Sequence, residues 1–526
     1  MAIDGSMLIN GQARRGQGAH FTATEAATGQ PIAAPVFASA LPQDVNDAAE
    51  AARAAFDPFQ SISLEARAAL LDDMAQRIDA LGGELTERAM AETGLPAARL
   101  EGERARTVGQ LRMFASHVRA GDWLDARIEP ALPERQPPRR RLALQRVGLG
   151  PVAVFGASNF PLAFSVAGGD TAAALAAGCP VVVKAHPSHP GTSELVGRAV
   201  MAAVAAAGLP PGVFSLLVES GHQMGVALVE HPAIQAVGFT GSRHAGQALM
   251  RVAAARPQPI PVYAEMSSIN PTLLLPAALA ARPETLARDF VASLTLGAGQ
   301  FCTNPGLLLA LEGPGLDAFI GAASDAIADA PAGVMLNPQI AAAYERGAAR
   351  ECEVPGAQLL AQGPAAPSRS RAALLRHSAA GLRASGHMPE EVFGPFGVLV
   401  VCADADEMIA LLEDLEGQLT ATLHLDDADL PLARRLLPLL QRKVGRILAN
   451  AFPTGVEVCD AMVHGGPYPV TADGRSTSVG TAAIERFLRP VCYDGLPDAL
   501  LPAALQQANP LGLRRRVASR FSDAAA

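Results

Sequence analysis

One cysteine and one glutamate are of the residue types that covalent acyl chemistry requires. Cys302 lies in the glycine-rich stretch from Gly297 to Pro305, where backbone N–H groups can converge on a thiol. A lone cysteine is more often a small buried hydrophobe, so this stretch alone leaves both interpretations open. Glu265 ends a buried apolar run, and the carboxyl ends of such strands are where α/β proteins bind ligands. A desolvated carboxylate there suits a general base.

Two further polar segments also follow predicted strands. Asn159 offers a neutral amide that could donate to a developing oxyanion, although an ordinary asparagine turn fits as well. The segment Phe239–Gly246 places a Gly-Ser turn where a strand can pass into a helix, whose amides would face a phosphate. Gly148–Ala153 resembles a dinucleotide fingerprint, but it continues as a strand and is therefore not one.

The elements that must position these residues alternate between strands and helices. Residues up to about 125 are predicted to be helical, with Ser63 as the N-cap of a helix from Leu64 and a second helix over 98–119. Strands are predicted at 152–155, 180–184, 214–218, 236–239, 260–264, 272–275 and 397–402, and helices at 169–177, 191–207, 284–296 and 428–440. Buried strands alternating with helices predict an α/β fold with two Rossmann-like open parallel sheets.

Composition excludes several function classes. The chain has 526 residues, enough for two or three domains, and a net charge of −9. This charge gives no reason to expect nucleic acid or an anionic membrane as a partner, and the Pro/Arg-rich segment 133–141 is predicted to be a solvated loop. Residues 147–169 carry no charge, but Pro151 and Pro161 argue against a membrane helix.

Cysteine usage and the N-terminus bear on the compartment. The six cysteines lie far apart, without zinc-ligand spacing, and the first residues lack the pattern of a signal peptide. We expect no metal site and a cytoplasmic location.

Six motifs resemble one family in order and spacing. They are Ser158–Pro161, Val183-Lys184, Phe239–Ser242, Glu265 at its strand end, Gly299–Cys302 and Glu390–Pro395. This combination resembles the aldehyde dehydrogenase superfamily. More finely, 164–171, 186–192, 464–467, 477–480 and 489–490 resemble the α-ketoglutaric semialdehyde (2,5-dioxopentanoate) dehydrogenases. NADP-dependent fatty aldehyde dehydrogenases share parts of these stretches.

The resemblance implies a mechanism. Cys302 would attack the aldehyde as a thiolate, and the Asn159 amide and the Cys302 backbone N–H would hold the oxyanion. Hydride transfer to nicotinamide would leave a thioester, which water activated by Glu265 would hydrolyse. An acylating dehydrogenase that uses coenzyme A is the nearest alternative, and a non-catalytic binding or structural protein on the same fold is an alternative of another class.

The resemblance also implies cofactor and substrate residues. The cofactor set is Lys184, Ser188, Gly241, Ser242, Gly246, Glu391 and Phe393, and the substrate set is Arg106, Gln110 and Phe160. Many NAD-specific members carry a glutamate three residues after the lysine, where this chain has Pro187. Without that carboxylate, and with Lys184, Ser188 and either His186 or His189 nearby, NADP should be tolerated or preferred to NAD. Arg106 would bind a substrate carboxylate, unless it is a surface arginine paired with Glu103.

The expected domains follow the same resemblance. Residues 1–136 and 151–265 form the NAD(P)-binding domain, 266–470 the catalytic domain, and 494–526 a C-terminal tail. Residues 137–150 and 486–493 form oligomerisation strands, and Pro490 suits an edge strand. A homodimer or homotetramer is expected.

Overall fold

The computed structural model of the chain describes residues 3–367 and 369–523. Its strands are β1 (Ser6–Ile9), β2 (Gln12–Arg15), β3 (His20–Glu25), β4 (Gln30–Ala38), β5 (Arg127–Glu129), β6 (Leu142–Gly148), β7 (Val152–Phe155), β8 (Val181–Lys184), β9 (Phe214–Leu217), β10 (Ala236–Thr240), β11 (Val262–Glu265), β12 (Pro271–Leu274), β13 (Leu307–Leu311), β14 (Gly333–Val334), β15 (Gln358–Gln362), β16 (Arg369–Ser370), β17 (Ala373–Ser378), β18 (Phe396–Cys402), β19 (Gln418–His424), β20 (Val444–Ala449), β21 (Leu488–Asp494), β22 (Arg515–Val517) and β23 (Arg520–Ser522).

The α-helices are α1 (Pro42–Gln60), α2 (Leu64–Ala80), α3 (Gly82–Thr93), α4 (Ala97–Ala120), α5 (Gly169–Ala176), α6 (Pro190–Ala206), α7 (Gln223–Glu230), α8 (Arg243–Ala255), α9 (Pro276–Ala281), α10 (Pro283–Thr295), α11 (Leu316–Asp329), α12 (Pro338–Cys352), α13 (Ala379–Ser385), α14 (Ala405–Asp414) and α15 (Leu430–Lys443). The Ser63 hydroxyl caps α2, as predicted, by accepting a hydrogen bond from the N–H of Ala66 at 3.1 Å.

The first large sheet has the strand order β11-β10-β7-β8-β9-β1-β2. Strands β7 to β11 pair in parallel, and helices connect them. Helix α5 is buried along its whole length, because its alanine and glycine residues allow close packing between the sheet and α4. The two open parallel sheets confirm the predicted α/β fold class.

The prediction of an all-helical N-terminal segment was wrong for residues 6–38, which form four strands. β1 pairs antiparallel with β9, with Leu8 opposite Leu216, and β2 turns back on β1 through Asn10-Gly11. Both turn residues have positive φ, 49° and 75°, the conformation that an Asn-Gly hairpin turn adopts. These residues form a strand and not a helix because the strand buries all four β1 side chains against the parallel sheet.

The second large sheet has the order β15-β17-β18-β13-β12-β19-β20, and only β15 is antiparallel. Side chains of β12 alternate between its two faces: Leu273 packs in one apolar cluster and Leu274 in the other. Both faces of β12 are therefore buried, and the neighbouring strands β13 and β18 are apolar along almost their whole length.

A third sheet joins distant segments in the order β21-β6-β5-β22-β23. β21 pairs antiparallel with β6 from Leu488↔Gly148 to Asp494↔Leu142, which brings together the two strands expected to serve oligomerisation. Residues 515–517 and 520–522, expected to be a tail, add two strands to this sheet.

The uncharged stretch 147–169 contains the end of β6, the short β7 and a loop, as its prolines predicted. Within the described ranges, no helix is both long and apolar enough to cross a bilayer.

Candidate active site

The loop that carries Cys302 has an unusual backbone. Gly297, Ala298 and Gly299 have φ values of 56°, 57° and 68°, a left-handed turn at the end of α10. A Cβ on Gly299 would lie 2.2 Å from the carbonyl carbon of Gly394, so only glycine fits there. The close contact holds the cysteine loop against the segment that precedes β18.

Asn270 fixes the other side of this loop. Its side-chain Nδ2 donates to the carbonyl oxygen of Cys302 at 2.8 Å and to that of Asn304 at 2.9 Å. Asn270 is fully buried and lies between β11 and β12. The segment that links the two large sheets therefore fixes the position of the Cys302 backbone through the Asn270 side chain.

Three side chains from distant parts of the sequence meet at the thiol. Cys302 Sγ lies 3.4 Å from Nε2 of His464, and the same Nε2 lies 2.9 Å from Oε2 of Glu265. The sulfur, nitrogen and carboxylate oxygen all lie within 4.8 Å of one another. The structure thus brings together Cys302 and Glu265, and it adds a histidine to which the sequence analysis assigned no role.

His464 is held rigidly in its loop. Its backbone N–H donates to Oγ1 of Thr477 at 2.9 Å, and its carbonyl accepts from the backbone N–H of Ser478 at 2.9 Å. The Ser478 hydroxyl oxygen also lies 3.4 Å from Oε2 of Glu265. The segment 477–480, noted above only for its resemblance, therefore orients both the imidazole and the carboxylate.

The surroundings of Cys302 disfavour a free thiolate. Burial raises the pKa of the Cys302 thiol well above its usual value, and the negative charges of Glu265 and Glu391 raise it further. The Arg106 guanidinium acts in the opposite direction. A nucleophilic thiolate at this position needs a nearby cation or a proton acceptor.

Asn159 lies beside the cysteine loop. Its side-chain Nδ2 donates to the carbonyl oxygen of Gln300 at 3.0 Å, two residues before the nucleophile. The amide is buried in the irregular segment that follows β7. The structure therefore brings the Asn159 amide to the cysteine loop, where it is bonded to the carbonyl of Gln300.

A buried ion pair in α4 supports the Asn159 segment. Glu103 accepts hydrogen bonds from the backbone N–H groups of Leu162 at 2.8 Å and Ala163 at 3.0 Å. Arg99 pairs with Glu103 at 3.3 Å and also contacts the carbonyl of Asn159 at 3.5 Å. This pair was missed in the sequence analysis, which considered Arg106 as the partner of Glu103.

The Arg106 guanidinium instead lies over two phenylalanine rings. Its guanidinium carbon lies 5.2 Å from the ring centre of Phe164 and 5.8 Å from that of Phe160. Its buried Nε and Nη2 atoms have no hydrogen-bond partner among the described residues. Because buried donors are normally paired, the structure leaves a cation that is positioned to receive an anion.

Gln110 lies one turn further along α4. Its Nε2 is buried and has no hydrogen-bond partner within the described part of the chain. A Cβ on Gly169 would lie 3.4 Å from this Nε2 and 3.0 Å from the carbonyl of Ser478, so the three residues are in contact. Gln110 is thus close to the segment that orients Glu265.

The N-termini of the helices beside the first sheet differ in the side chains that accept hydrogen bonds from their free N–H groups. Glu92 accepts from the N–H groups of Gly191 and Thr192 in α6, both at 2.8 Å. Glu219 accepts from Met224 at 2.9 Å and Gly225 at 3.2 Å in α7. Carboxylates therefore already occupy the anion sites of the helices that follow β8 and β9.

Helix α8 has a neutral cap. It follows the predicted turn after β10, and the Ser242 hydroxyl accepts from the N–H of Ala245 at 3.3 Å. A Cβ on Gly241 would lie 2.7 Å from the Phe239 ring, and one on Gly246 would lie 2.6 Å from Sδ of Met266. Unlike α6 and α7, α8 therefore has a neutral hydroxyl, and not a carboxylate, at its N-terminus.

Lys184 ends β8, as the sequence predicted. Burial lowers its pKa, and Glu219 partly offsets this effect. Burial and the neighbouring charges of His189, Lys184 and His222 lower the pKa of His186 well below its usual value. These effects favour a neutral imidazole at His186, which lies near Lys184 and His222.

Two other residues considered for this region are already bonded within the protein. His189 is fully buried, with Nε2 2.8 Å from the carbonyl of Ala157, which removes it from the residues available to a cofactor. The Ser188 hydroxyl accepts from Nδ2 of Asn337 at 2.7 Å.

Glu391 and Phe393 line a cleft at the cysteine loop together with Gly299 and Phe301. Burial raises the pKa of Glu391 to about 7, and Glu265 adds to the rise. The backbone N–H of Ser268 and the hydroxyl of Ser267 lower it by donating hydrogen bonds. A carboxylate and an aromatic ring therefore border the space next to the thiol.

Comparisons with known proteins give matches over nearly the whole chain. Residues 14–487 match the profile described as the aldehyde dehydrogenase family. The chain is 60% identical to alpha-ketoglutaric semialdehyde dehydrogenase 2 of Azospirillum brasilense, over 98% of this chain and 99% of that protein. It is 48% identical to alpha-ketoglutaric semialdehyde dehydrogenase of Acinetobacter baylyi, over 98% of each chain. The structure of aldehyde dehydrogenase C of Pseudomonas syringae, solved with NAD⁺ and octanal, superposes with a TM-score of 0.78 at 23% identity, covering 95% of this chain and 98% of that one.

Proposed function

The chain belongs to the aldehyde dehydrogenase family, and from that premise we propose that it oxidises α-ketoglutaric semialdehyde to 2-oxoglutarate with NAD or NADP as the hydride acceptor. The observation that carries the choice of substrate is the unpartnered Arg106 guanidinium among the aromatic rings near Cys302. A semialdehyde acid has one end that reacts with a thiol and another that binds such a cation.

Cys302 is the proposed nucleophile. Its sulfur bonds to the aldehyde carbon, and the carbonyl oxygen becomes an oxyanion that accepts hydrogen bonds from the Asn159 amide and the Cys302 backbone N–H. When bound, the nicotinamide cofactor supplies the hydride acceptor. What remains on the protein is a thioester of Cys302.

Glu265 is the proposed base of the second half-reaction. Its carboxylate reaches the same space as the sulfur and lies against His464 and Ser478. It takes a proton from water, the resulting hydroxide adds to the thioester carbon, and the C–S bond breaks to release the carboxylic acid. Water is therefore the proposed acyl acceptor, and added coenzyme A should yield no thioester product.

Arg106 is the proposed determinant of substrate charge. Phe160, Phe164, Phe301 and Val479 belong to one buried apolar cluster, which excludes water from the methylene groups of a substrate. A carboxylate in contact with Nε and Nη2 of Arg106 satisfies donors that would otherwise remain buried and unpaired. Gln110 adds a second unpaired donor on the same helix.

The proposed cofactor site uses the α8 N-terminus for the pyrophosphate, through Gly241, Ser242 and Gly246. Lys184 and Glu391 are proposed to bind the two riboses, and Phe393 to flank the nicotinamide ribose. Residue 187 is a proline, so no carboxylate at this position repels a 2′-phosphate. His186 lies beside Lys184. NADP is therefore proposed to be accepted at least as well as NAD. Ser188, engaged by Asn337, would contribute only after that hydrogen bond breaks.

Steady-state kinetics with two aldehydes test the substrate proposal. The protein should oxidise α-ketoglutaric semialdehyde with a much lower KM than pentanal, which has the same chain length and no charge. Arg106→Met should raise the KM for the semialdehyde acid about 10- to 200-fold and leave that for pentanal nearly unchanged. Arg112→Met is the matched control, since Arg112 is an exposed arginine of the same helix. An unchanged KM in Arg106→Met would overturn the proposal.

We also propose that the protein forms an oligomer and is located in the cytoplasm. β21 is an edge strand with a largely exposed face, and an oligomer built through it fits the family resemblance. Light scattering of the purified protein distinguishes a monomer from a homodimer or homotetramer. All six cysteines are unpaired, which fits the proposed cytoplasmic location.

A further inference from the structure

The Cys302 sulfur faces an electrostatic problem that Glu265 creates. Sγ and Oε2 belong to one group of atoms within 4.8 Å of one another, so ionising both residues places two negative charges in contact. Two anions this close in a partly buried site repel each other strongly. His464 is placed between them, with the same Nε2 at 3.4 Å from the sulfur and 2.9 Å from the oxygen.

We propose that His464, as an imidazolium, is the counter-ion of the Cys302 thiolate, formed when the thiol proton passes to Nε2. This inference rests on the proposed function, because it assigns the base that activates the nucleophile. Before transfer, the sulfur carries the proton and Nε2 its lone pair. Afterwards, the sulfur is negative, both ring nitrogens carry protons, and Nε2–H donates to both neighbours.

The position of Glu265 favours this transfer. An Nε2 lone pair 2.9 Å from an ionised carboxylate is repelled, whereas an Nε2–H at that distance forms a charge-assisted hydrogen bond. The carboxylate thus draws the thiol proton onto the histidine. The sulfur lone pair then forms the bond to the aldehyde carbon, and the carbonyl π electrons move to the oxygen.

The histidine is oriented for this role by its packing. It is about 2% exposed, and Thr477 and Ser478 hold its backbone from both sides. Its ring centre lies 6.0 Å from that of Phe164, which belongs to a buried apolar cluster with Phe160 and Phe301. Rotation of the imidazole away from the sulfur would break the contacts of Nε2 with Sγ and with Oε2 of Glu265 and disturb the packing on Phe164.

The other charges around the sulfur do not replace the histidine. Glu391 and Glu265 disfavour the thiolate. Arg106 favours it, but this cation is assigned to the substrate carboxylate. Arg446 is a further positive charge coupled to Cys302, and its guanidinium donates to the carbonyls of Gly455 and Pro453. Among the described residues, His464 carries the basic side chain that lies within hydrogen-bond distance of Sγ.

Alkylation of the cysteine tests the proposal separately from turnover. The full-length protein is treated with iodoacetamide between pH 5.5 and 9.5, and the Cys302 peptide is quantified by mass spectrometry. In the wild type, alkylation should stay fast well below the pH at which an ordinary thiol ionises. In His464→Gln the rate at pH 7 should fall about tenfold or more, since each unit of thiol pKa changes the thiolate fraction tenfold.

A second variant and a control keep the test decisive. His464→Ala removes the ring, and added imidazole should restore a large part of the alkylation rate. His20→Gln, at an exposed histidine of β3, should behave as the wild type. Cofactor binding and thermal unfolding show whether each variant is folded. Equal alkylation profiles in the wild type and folded His464→Gln would overturn the proposal. Failure of the proposed function would instead appear as a wild type that alkylates fast but oxidises no aldehyde.

Discussion

Glu103 of α4 accepts a hydrogen bond from the backbone N–H of Leu162 at 2.8 Å, three residues beyond Asn159. Burial raises the pKa of Glu103, whereas Arg99 and the N–H groups of Leu162 and Ala163 lower it. The carboxylate therefore connects the helix that carries Arg106 to the segment that carries the proposed oxyanion donor. Distortion of this segment should affect the transition state more than the ground state.

Glu103→Gln tests this connection. A glutamine retains one acceptor oxygen but turns an amide toward Arg99, so the Asn159 segment should shift. We expect kcat to fall about tenfold, which corresponds to roughly 1.4 kcal/mol of transition-state stabilisation, with little change in the KM for the cofactor. Glu101→Gln, at an exposed glutamate of α4, is the control. An unchanged kcat in Glu103→Gln would show that the Asn159 segment does not depend on this carboxylate.

Cofactor binding should depend on the ionisation of Glu391. Its pKa of about 7 lies above that of an exposed glutamate, so the side chain gains a proton as the pH falls from 8 to 6. The neutral acid is the weaker acceptor for ribose hydroxyls, and the Kd of the cofactor should therefore rise over this range. Fluorescence titration at several pH values measures it. In Glu391→Gln, cofactor binding should be weak at every pH. If the Kd of this variant still depended on pH, the dependence would belong to another titrating group.

The buried pair of Asp170 and Arg486 should contribute strongly to stability. Arg486 Nη1 lies 2.7 Å from Asp170 Oδ1, and the two side chains are 3% and 9% exposed. Asp170→Asn leaves a buried guanidinium without its counter-ion, at a cost of about 3–5 kcal/mol. The surface pair of Arg53 and Glu50 provides a matched control, since Glu50→Gln should cost under about 1 kcal/mol. Denaturant unfolding of both variants measures the difference, and equal losses would contradict it.

Much of the fold could be predicted because most strands are short apolar runs in the sequence and the starts of several helices are marked by capping residues. Ser63 caps α2, and the turn at Gly241 opens α8 as expected. The N-terminal strands were missed because β1 has only four residues and gains its burial from β9, more than 200 positions away. The Asn10-Gly11 pair was an available hairpin signal.

The site was predictable only in part. Glu265 could be predicted because it ends a strand, and Cys302 because it follows a glycine-rich turn. His464 lies in an irregular segment, 162 residues from Cys302. No period or spacing reveals such a contact. The spacing of Glu103 and Arg106 allows an ion pair on one helix face. In the folded protein, Glu103 instead pairs with Arg99, four residues earlier. Tertiary contacts decide between equivalent local pairings.

Accumulation of the acyl-enzyme tests most directly whether Cys302 and Glu265 divide the reaction between them. Glu265→Gln is mixed with α-ketoglutaric semialdehyde and NADP or NAD, and the reduced nicotinamide is followed by absorbance before an acid quench and peptide mass spectrometry. The expected result is a burst of about one reduced cofactor per active site, with the acyl group on the Cys302 peptide. An acyl group on another residue, or steady turnover at the wild-type rate without any adduct, would contradict the mechanism.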